Sequence, residues 1–202
     1  MAISSDNVKE LRLRTGAGIM DCKKALVETQ GDFEKALDYI RKRGMEIAAK
    51  KSVRKASEGI IYAYIHPPGK VGTVIELNCE SDFVAKTDAF KELSKDLAMH
   101  ITAMSPCYIK REDIPEDVLK KQREIFREQA LNEGKPENIV DKIVDGKIKR
   151  FYTEQCLMEQ PFIKDPEKTI KELIDEKVAV LGENIVLRRF ARFAVGEIEE
   201  NE

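Results

Sequence analysis

The sequence predicts an α+β fold in which an N-terminal three-helix module and a linker precede a small antiparallel sheet covered by helices. Apolar residues recur with helical spacing up to about residue 44. Between Gly59 and Cys79 the pattern changes to strand-forming residues, in two runs separated by a Pro-Pro-Gly turn. With 202 residues, of which 42% are hydrophobic, the chain is also large enough to bury a core.

The first 44 residues are expected to form three short helices that pack together. A serine at position 4 or 5 can cap the first helix, which ends at residues 15–18. The second begins near Ile19 and ends at Gly31, since glycine is a common helix stop. Asp32 can cap the third, which we expect to end at Gly44. Helices of this length are marginal alone, so they need one another's apolar faces.

A hairpin and one later strand are predicted to form the sheet. Gly59–His66 and Val71–Cys79 are the hairpin strands, and Pro67–Lys70 is the turn between them. Alternation along the second strand puts one set of side chains on the same face: Val71, Thr73, Ile75, Leu77 and Cys79. Leu187–Val195 is the expected third strand, and residues 107–109 are a candidate for another short one.

Further helices are predicted along the rest of the chain. Thr87 can cap one whose apolar stripe is Phe90, Leu93, Leu97, Ile101 and Met104. Others are expected to begin at Asp113–Pro115, at Pro136 and at Asp165–Pro166, because proline is favoured at helix starts.

These patterns divide the chain into four segments. We predict a three-helix module at 1–44, a basic linker at 45–57, an α+β core domain at 58–196 and an acidic tail at 197–202. Basic residues are in excess up to Lys55 and acidic residues after it, although the net charge is only -2. The basic linker could also contact nucleic acid, but it lacks the interleaved aromatic residues on which bases stack.

Several classes of protein are not supported by the composition. The chain begins without a secretory signal pattern and has no apolar run long enough to span a bilayer, so we expect a cytoplasmic protein. Its four cysteines are widely spaced and are expected to be reduced thiols, with neither a disulfide framework nor a zinc site. Phosphate-binding loops, nucleophile elbows and metalloprotease motifs are absent from the sequence, and no cofactor is expected.

Phe83 is the residue with two competing interpretations. It follows Asp82 in what we expect to be a loop after the strand that ends at Cys79. Phenylalanine is often buried, so its ring could fold back into the core. Loops at sheet ends also carry contact residues, so the ring could instead be an exposed anchor that enters a partner's pocket beside a bound cation.

Four stretches of the chain, in order, resemble the signature segments of the elongation factor Ts family. They are Leu11–Leu26, Asn78–Ala85, Gln129–Pro136 and Glu159–Asp165. Together they span nearly the whole chain, which makes the resemblance far more specific than one short motif. This chain has Ser81 where the family usually has threonine, which keeps the hydroxyl, and Ile19 where methionine is common.

The resemblance implies a partner and a set of contact residues. The first 44 residues would be a ubiquitin-associated-like module that docks on the GTPase elongation factor Tu in its GDP form. Arg12, Ile19 and Met20 match the docking positions, and Ser81–Val84 matches the segment that disturbs the bound magnesium and speeds GDP release. The family acts by binding and has no bond chemistry of its own. The chain resembles the short form of the family, so we expect a homodimer formed through the core domain.

Three other functions stay open at this stage. An RNA- or ribosome-binding protein would use the basic head and linker and bind with steep salt dependence. An enzyme could be built on Asp82 and His100, and would show a strongly perturbed pKa in a closed pocket. A scaffold would bind a GTPase without changing its affinity for nucleotide. For the exchange factor itself, no direct contact with nucleic acid or membrane is expected.

Overall fold

The computed structural model describes residues 4–197, so the predicted acidic tail lies outside the described residues beyond Glu197. The helices are α1 (Ser5–Thr15), α2 (Ile19–Glu28), α3 (Phe33–Lys51), α4 (Asp82–Ala85), α5 (Asp88–Met104), α6 (Glu116–Asn132), α7 (Glu137–Gln155) and α8 (Ile170–Leu181). The strands are β1 (Glu58–His66), β2 (Val71–Cys79), β3 (Pro161–Phe162), β4 (Asp165–Thr169) and β5 (Val186–Ala194). Helices combined with antiparallel strands confirm the predicted fold class.

The chain forms two compact units. One contains the residues up to Met99 together with those from Lys171 onward, and the other is His100–Ile170. The predicted segment bounds at 44, 57 and 196 stay a prediction.

The three N-terminal helices share a small core in the first unit. It is made of fully buried side chains from all three helices: Leu11, Cys22, Ala25, Leu26 and Ala36. Ser4 caps α1 through its hydroxyl, and Asp32 caps α3 by accepting a hydrogen bond from the Lys35 N–H at 3.1 Å. Gly16 takes a φ of 67° after α1, a conformation that glycine adopts without a steric penalty. The predicted helix starts are therefore confirmed.

The main sheet has the order β1-β2-β5, and all its pairs are antiparallel. On the central strand β2, the residues Thr73, Ile75, Leu77 and Cys79 are buried, which confirms the predicted core face. The opposite face of the sheet keeps large apolar side chains in solvent. The predicted hairpin turn and the third strand are also confirmed.

Gly44 does not end the third helix, and the prediction that it does is wrong. The helix continues to Lys51, so most of the expected basic linker is helical. A Cβ atom at position 44 would lie 3.8 Å from the Cβ of Ala179 and 3.9 Å from the carbonyl oxygen of Asp175, both on α8. The small residue therefore marks a close approach of two helices that are distant in sequence.

Three local predictions need correction. Asp165–Pro166 belongs to strand β4 and not to a helix cap, because α8 begins only at Ile170. Met104 is 44% exposed, although the other four members of its stripe are buried. The expected strand at residues 107–109 is reduced to a single bridge between Tyr108 and Cys156.

In the second unit, α6 and α7 form a helical hairpin whose core is Ala130, Val140, Val144 and Ile148. The other buried centre of this unit is His100, which is fully shielded from solvent. Its Nδ1 accepts a hydrogen bond from the Ile163 N–H at 3.4 Å, and its Nε2 lies 3.0 Å from Oε1 of Gln160. Burial lowers the pKa of His100 from its ordinary value of 6.5, against a smaller opposing effect of the Gln160 contact.

The buried His100 should make stability fall as the solution becomes acidic. Because its folded pKa is lowered, the unfolded chain takes up the proton first, so this contribution is complete above pH 6.5 and is lost as pH decreases below it. In His100→Asn, the free energy of unfolding should fall less steeply than in the wild type between pH 7.5 and 5.5. Denaturant titrations at each pH measure this free energy of unfolding. His66→Asn is the matched control and should follow the wild-type slope. Equal slopes for wild type and His100→Asn would contradict this expectation.

Candidate functional site

The end of β2 leads into the one-turn helix α4, where we had expected a loop. Ser81 is the N-cap residue, with an extended backbone and a hydroxyl that accepts a hydrogen bond from the Val84 N–H at 3.4 Å. Asp82 lies in the first turn, where a negative charge is favourable at a helix N-terminus. The loop prediction is therefore wrong for a local reason, because a serine cap followed by an acid favours a helical turn.

Phe83 projects from this turn into solvent with 80% of its surface exposed. The interpretation in which the ring folds into the core is wrong. Burying such a side chain would contribute roughly 1.5–3 kcal/mol, which this ring does not gain in the free chain. An exposed aromatic side chain on a hydrogen-bonded turn is typical of the anchors that dominate binding energy at interfaces.

The buried Cys79 thiol lies at the start of the turn that presents Phe83. The Cys79 thiol donates a hydrogen bond to the Ser81 carbonyl at 3.1 Å. Burial, with a smaller contribution from the Glu183 charge, raises the pKa of Cys79 to about 11. The sulfur is therefore a neutral thiol near pH 7 and supports the turn structurally.

Asp82 is exposed and carries its own counter-ion. The Lys86 ammonium lies 2.6 Å from its Oδ2, one helical turn further on. The hydrogen bond from Lys86 lowers the pKa of Asp82, so the carboxylate is ionised at neutral pH. The turn thus presents an aromatic ring beside a negative charge, which is the pairing that the exposed-anchor interpretation requires.

The predicted docking residues lie on the N-terminal helices. Arg12 and Ile19 line one open groove of about 640 Å³, while Met20 is exposed beside Ile19 without lining it. The groove is lined by apolar residues, among them Ile19, and by the basic side chains of Lys9, Arg12 and Lys23. The structure therefore brings Arg12 and Ile19 together, and Ser81–Val84 forms a second patch of the same compact unit.

Leu13 is a groove residue that the sequence interpretation missed. It lines the same groove and is 86% exposed. Its position could have been noticed, because it lies two residues after the buried Leu11 and so falls off the core-facing stripe of α1. Because the exposed Ile19 lines the same groove, Leu13 is part of a shared apolar surface, and such surfaces often mark contact sites.

The described residues, 4–197, hold no group of three or more His, Cys, Asp or Glu side chains placed to bind a metal. His100 is fully buried, and each of its ring nitrogens lies within hydrogen-bond distance of a neighbouring group. Over the same range, no helix is long and apolar enough to cross a bilayer. By its fold and its two exposed patches, the chain is an α+β protein suited to docking on a macromolecular partner.

Comparison with known proteins identifies the family. The family model described as Elongation factor TS matches residues 8–197. Proteins named Elongation factor Ts from Thermoanaerobacter sp. (strain X514) and Moorella thermoacetica are 60% and 58% identical over 195 residues, which is 96% of this chain and 96% of each relative. The protein of that name from Geobacter sulfurreducens is 53% identical over 98% of this chain and 91% of its own length. The chain belongs to the elongation factor Ts family and is a translation elongation factor.

Proposed function

We propose that the chain is a guanine-nucleotide exchange factor for elongation factor Tu. It binds the GDP form of that GTPase, disturbs its magnesium site and promotes GDP release so that GTP can bind. Membership of the elongation factor Ts family supports the choice of partner. The observation that carries the mechanism is the exposed Phe83 ring next to the ionised Asp82 on a hydrogen-bonded turn.

The N-terminal groove supplies the docking contact in this proposal. Arg12, Ile19 and Met20 bind the nucleotide-binding domain of the partner, with Leu13 extending the apolar contact. A groove lined by both apolar and basic side chains fits a partner surface that combines apolar side chains with acidic groups. Docking of the N-terminal three-helix module then holds the Phe83 turn at high effective concentration near the partner's nucleotide site.

The second patch acts on the magnesium ion. In P-loop GTPases the ion is held by a P-loop hydroxyl and an aspartate, and it bridges the phosphate oxygens of the nucleotide. Phe83 displaces groups around the ion, and the Asp82 carboxylate adds a negative charge beside them. When the magnesium ion is held less tightly, GDP loses one of its strong contacts with the GTPase and dissociates faster.

The energetics follow from linkage between two ligands on one partner. If this chain weakens GDP binding by some factor, GDP must weaken the binding of this chain by the same factor. A thousandfold effect corresponds to about 4 kcal/mol, which a few hot-spot contacts can supply. Rebinding of either nucleotide therefore expels the exchange factor, and no bond has to be made or broken. The proposal needs no cofactor, nucleic acid or membrane, and it places the chain in the cytoplasm.

Calorimetry on elongation factor Tu tests this linkage. The dissociation constant of the complex is measured with nucleotide-free GTPase and again with saturating GDP and magnesium. Exchange activity requires much weaker binding in the second case. Equal constants would identify the scaffold, and binding only to RNA, with a steep salt dependence, would restore the nucleic-acid hypothesis.

We also propose that two copies of the chain form a homodimer through the open face of the main sheet. Neighbouring strands put exposed apolar side chains on this face: Ile61 and Ile65 of β1, Val74 of β2 and Phe193 of β5. Ile65 is 69% exposed and Phe193 is 59% exposed. Exposed apolar side chains that share one face across three strands often mark a contact surface, and a two-fold contact would bury them against a second copy.

Ile65→Asp should convert the dimer to a monomer, because a carboxylate would be buried without a partner inside the contact. Sedimentation equilibrium measures the mass at several concentrations. Ile139→Asp, at an exposed position on α7, is the matched control and should leave the mass unchanged. A monomeric wild type at all concentrations would contradict the proposed dimer.

A further inference from the structure

The carboxylate of Glu183 holds the turn that presents Phe83. Glu183 lies between α8 and β5, far along the chain from that turn. Its Oε2 accepts hydrogen bonds from the backbone N–H groups of Glu80 and Ser81, each at 3.0 Å. Its Oε1 accepts a third from the Ser81 hydroxyl at 2.6 Å. Hydrogen bonds to a charged acceptor are about twice as strong as neutral ones. Three of them therefore hold Glu80 and Ser81, the two residues that precede α4.

These hydrogen bonds continue into α4. The Ser81 hydroxyl that donates to Glu183 also accepts from the Val84 N–H at 3.4 Å. The Val84 amide, the hydroxyl and the carboxylate thus form a series in which each bond polarises the next. Phe83 lies inside this turn, so the direction of its ring depends on the anchoring of Ser81.

The neighbouring residue joins the same turn to the end of α3. The Asn184 N–H donates to Oε1 of Glu80 at 2.7 Å, and its side-chain amide donates to the Arg54 carbonyl at 2.7 Å. The Lys51 ammonium also contacts the Gly182 carbonyl. Residues 182–184 therefore contact both the Phe83 turn and the end of the helix whose first half packs in the N-terminal module.

We propose that Glu183 is a positioning residue for nucleotide release. It holds Ser81 so that Phe83 is already directed towards the partner's magnesium site before the two proteins meet. This inference rests on the exchange function proposed above. A turn that is ordered in advance loses less conformational freedom on binding, and misplacing the ring by about 1 Å is enough to weaken a contact made only on release.

The test is a titration of GDP release against the concentration of each variant. Glu183→Gln keeps the shape of the side chain but replaces one acceptor oxygen with an N–H donor that faces other donors. Its limiting release rate should fall about tenfold, as expected for a misplaced group. The half-saturating concentration should stay near the wild-type value, because the groove at Arg12 is unchanged. Ser81→Ala, which removes one of the three donors, should show a smaller loss of the same kind.

A double-mutant cycle separates positioning from general weakening of the fold. If Glu183 acts through Phe83, then Glu183→Gln should change the rate little once Phe83→Ala is present. If the two residues acted independently, the fold-changes in release rate of the two single variants would instead multiply in the double variant. Glu154→Gln, which removes an exposed ion pair with Arg150, is the matched control and should behave as wild type.

Every outcome of this experiment either supports or overturns the proposed role of Glu183. A lowered limiting rate that disappears in the Phe83→Ala background supports the proposal. A limiting rate equal to wild type overturns it while the exchange function stands. Higher half-saturating concentration together with a lower melting temperature overturns it in favour of a structural role for Glu183. If wild type itself does not accelerate release, the exchange function fails, and the positioning role fails with it.

Discussion

Phe83→Ala should lower the limiting rate of GDP release from elongation factor Tu about 30-fold, the equivalent of the 2 kcal/mol that defines a binding hot spot. The ring is 80% exposed, so its removal takes almost nothing from the core of the free protein. The loss falls on the limiting rate because the ring acts after docking. Its effect on the half-saturating concentration should be small, since the N-terminal groove is unaltered.

Two observations control this experiment. The melting temperature of Phe83→Ala should match that of wild type, which shows that the fold is intact. Leu131→Ala, at a half-exposed apolar position near the end of α6, should release GDP at the wild-type rate. If Phe83→Ala also releases GDP at the wild-type rate, the ring does not act on the magnesium site.

Reversing the charge of Arg12 should weaken the complex with elongation factor Tu about 10- to 100-fold, because a charged hydrogen bond contributes roughly 1.5–3 kcal/mol. Arg12 makes no ion pair with any of the residues 4–197, so Arg12→Glu leaves no internal charge without its partner. Calorimetry gives the dissociation constant. The difference from wild type should shrink at high salt, since exposed charges are screened.

Lys142→Glu is the matched control, because it makes a comparable charge change at an exposed position of α7. Its dissociation constant should equal that of wild type. An unaltered dissociation constant for Arg12→Glu would mean that the basic side chain of Arg12 is not part of the docking surface. The apolar residues Leu13 and Ile19 would then have to account for docking alone.

Local signals predicted most of the secondary structure correctly. The caps at Ser4 and Asp32 and the hairpin turn at Pro67–Lys70 are properties of a few adjacent residues, so they can be recognised without a tertiary structure. The buried face of β2 follows from simple alternation. Local signals also misled in places, since Asp165–Pro166 belongs to strand β4 and the segment after Ser81 forms a one-turn helix.

Two features of the fold depend on contacts between distant parts of the chain and are not visible in local patterns. Gly44 looks like a helix stop in sequence, but the approach of α8 explains its small size and the helix continues past it. The turn that carries the exposed Phe83 is hydrogen-bonded to Glu183, which lies 102 residues beyond Ser81 in the chain. No local pattern could have paired Glu183 with Ser81. The family resemblance located Ser81 and Phe83 as candidate residues, and the structure adds the hydrogen bonds to Glu183 that hold their turn.

Stopped-flow release of a fluorescent GDP analogue from elongation factor Tu tests the central claim most directly. The GTPase is preloaded with the analogue and mixed with excess GDP, alone or with rising concentrations of this chain. We predict a release rate that increases with concentration to a plateau far above the intrinsic rate. Release at the intrinsic rate, with binding confirmed by calorimetry, would contradict the account and leave the chain as a scaffold.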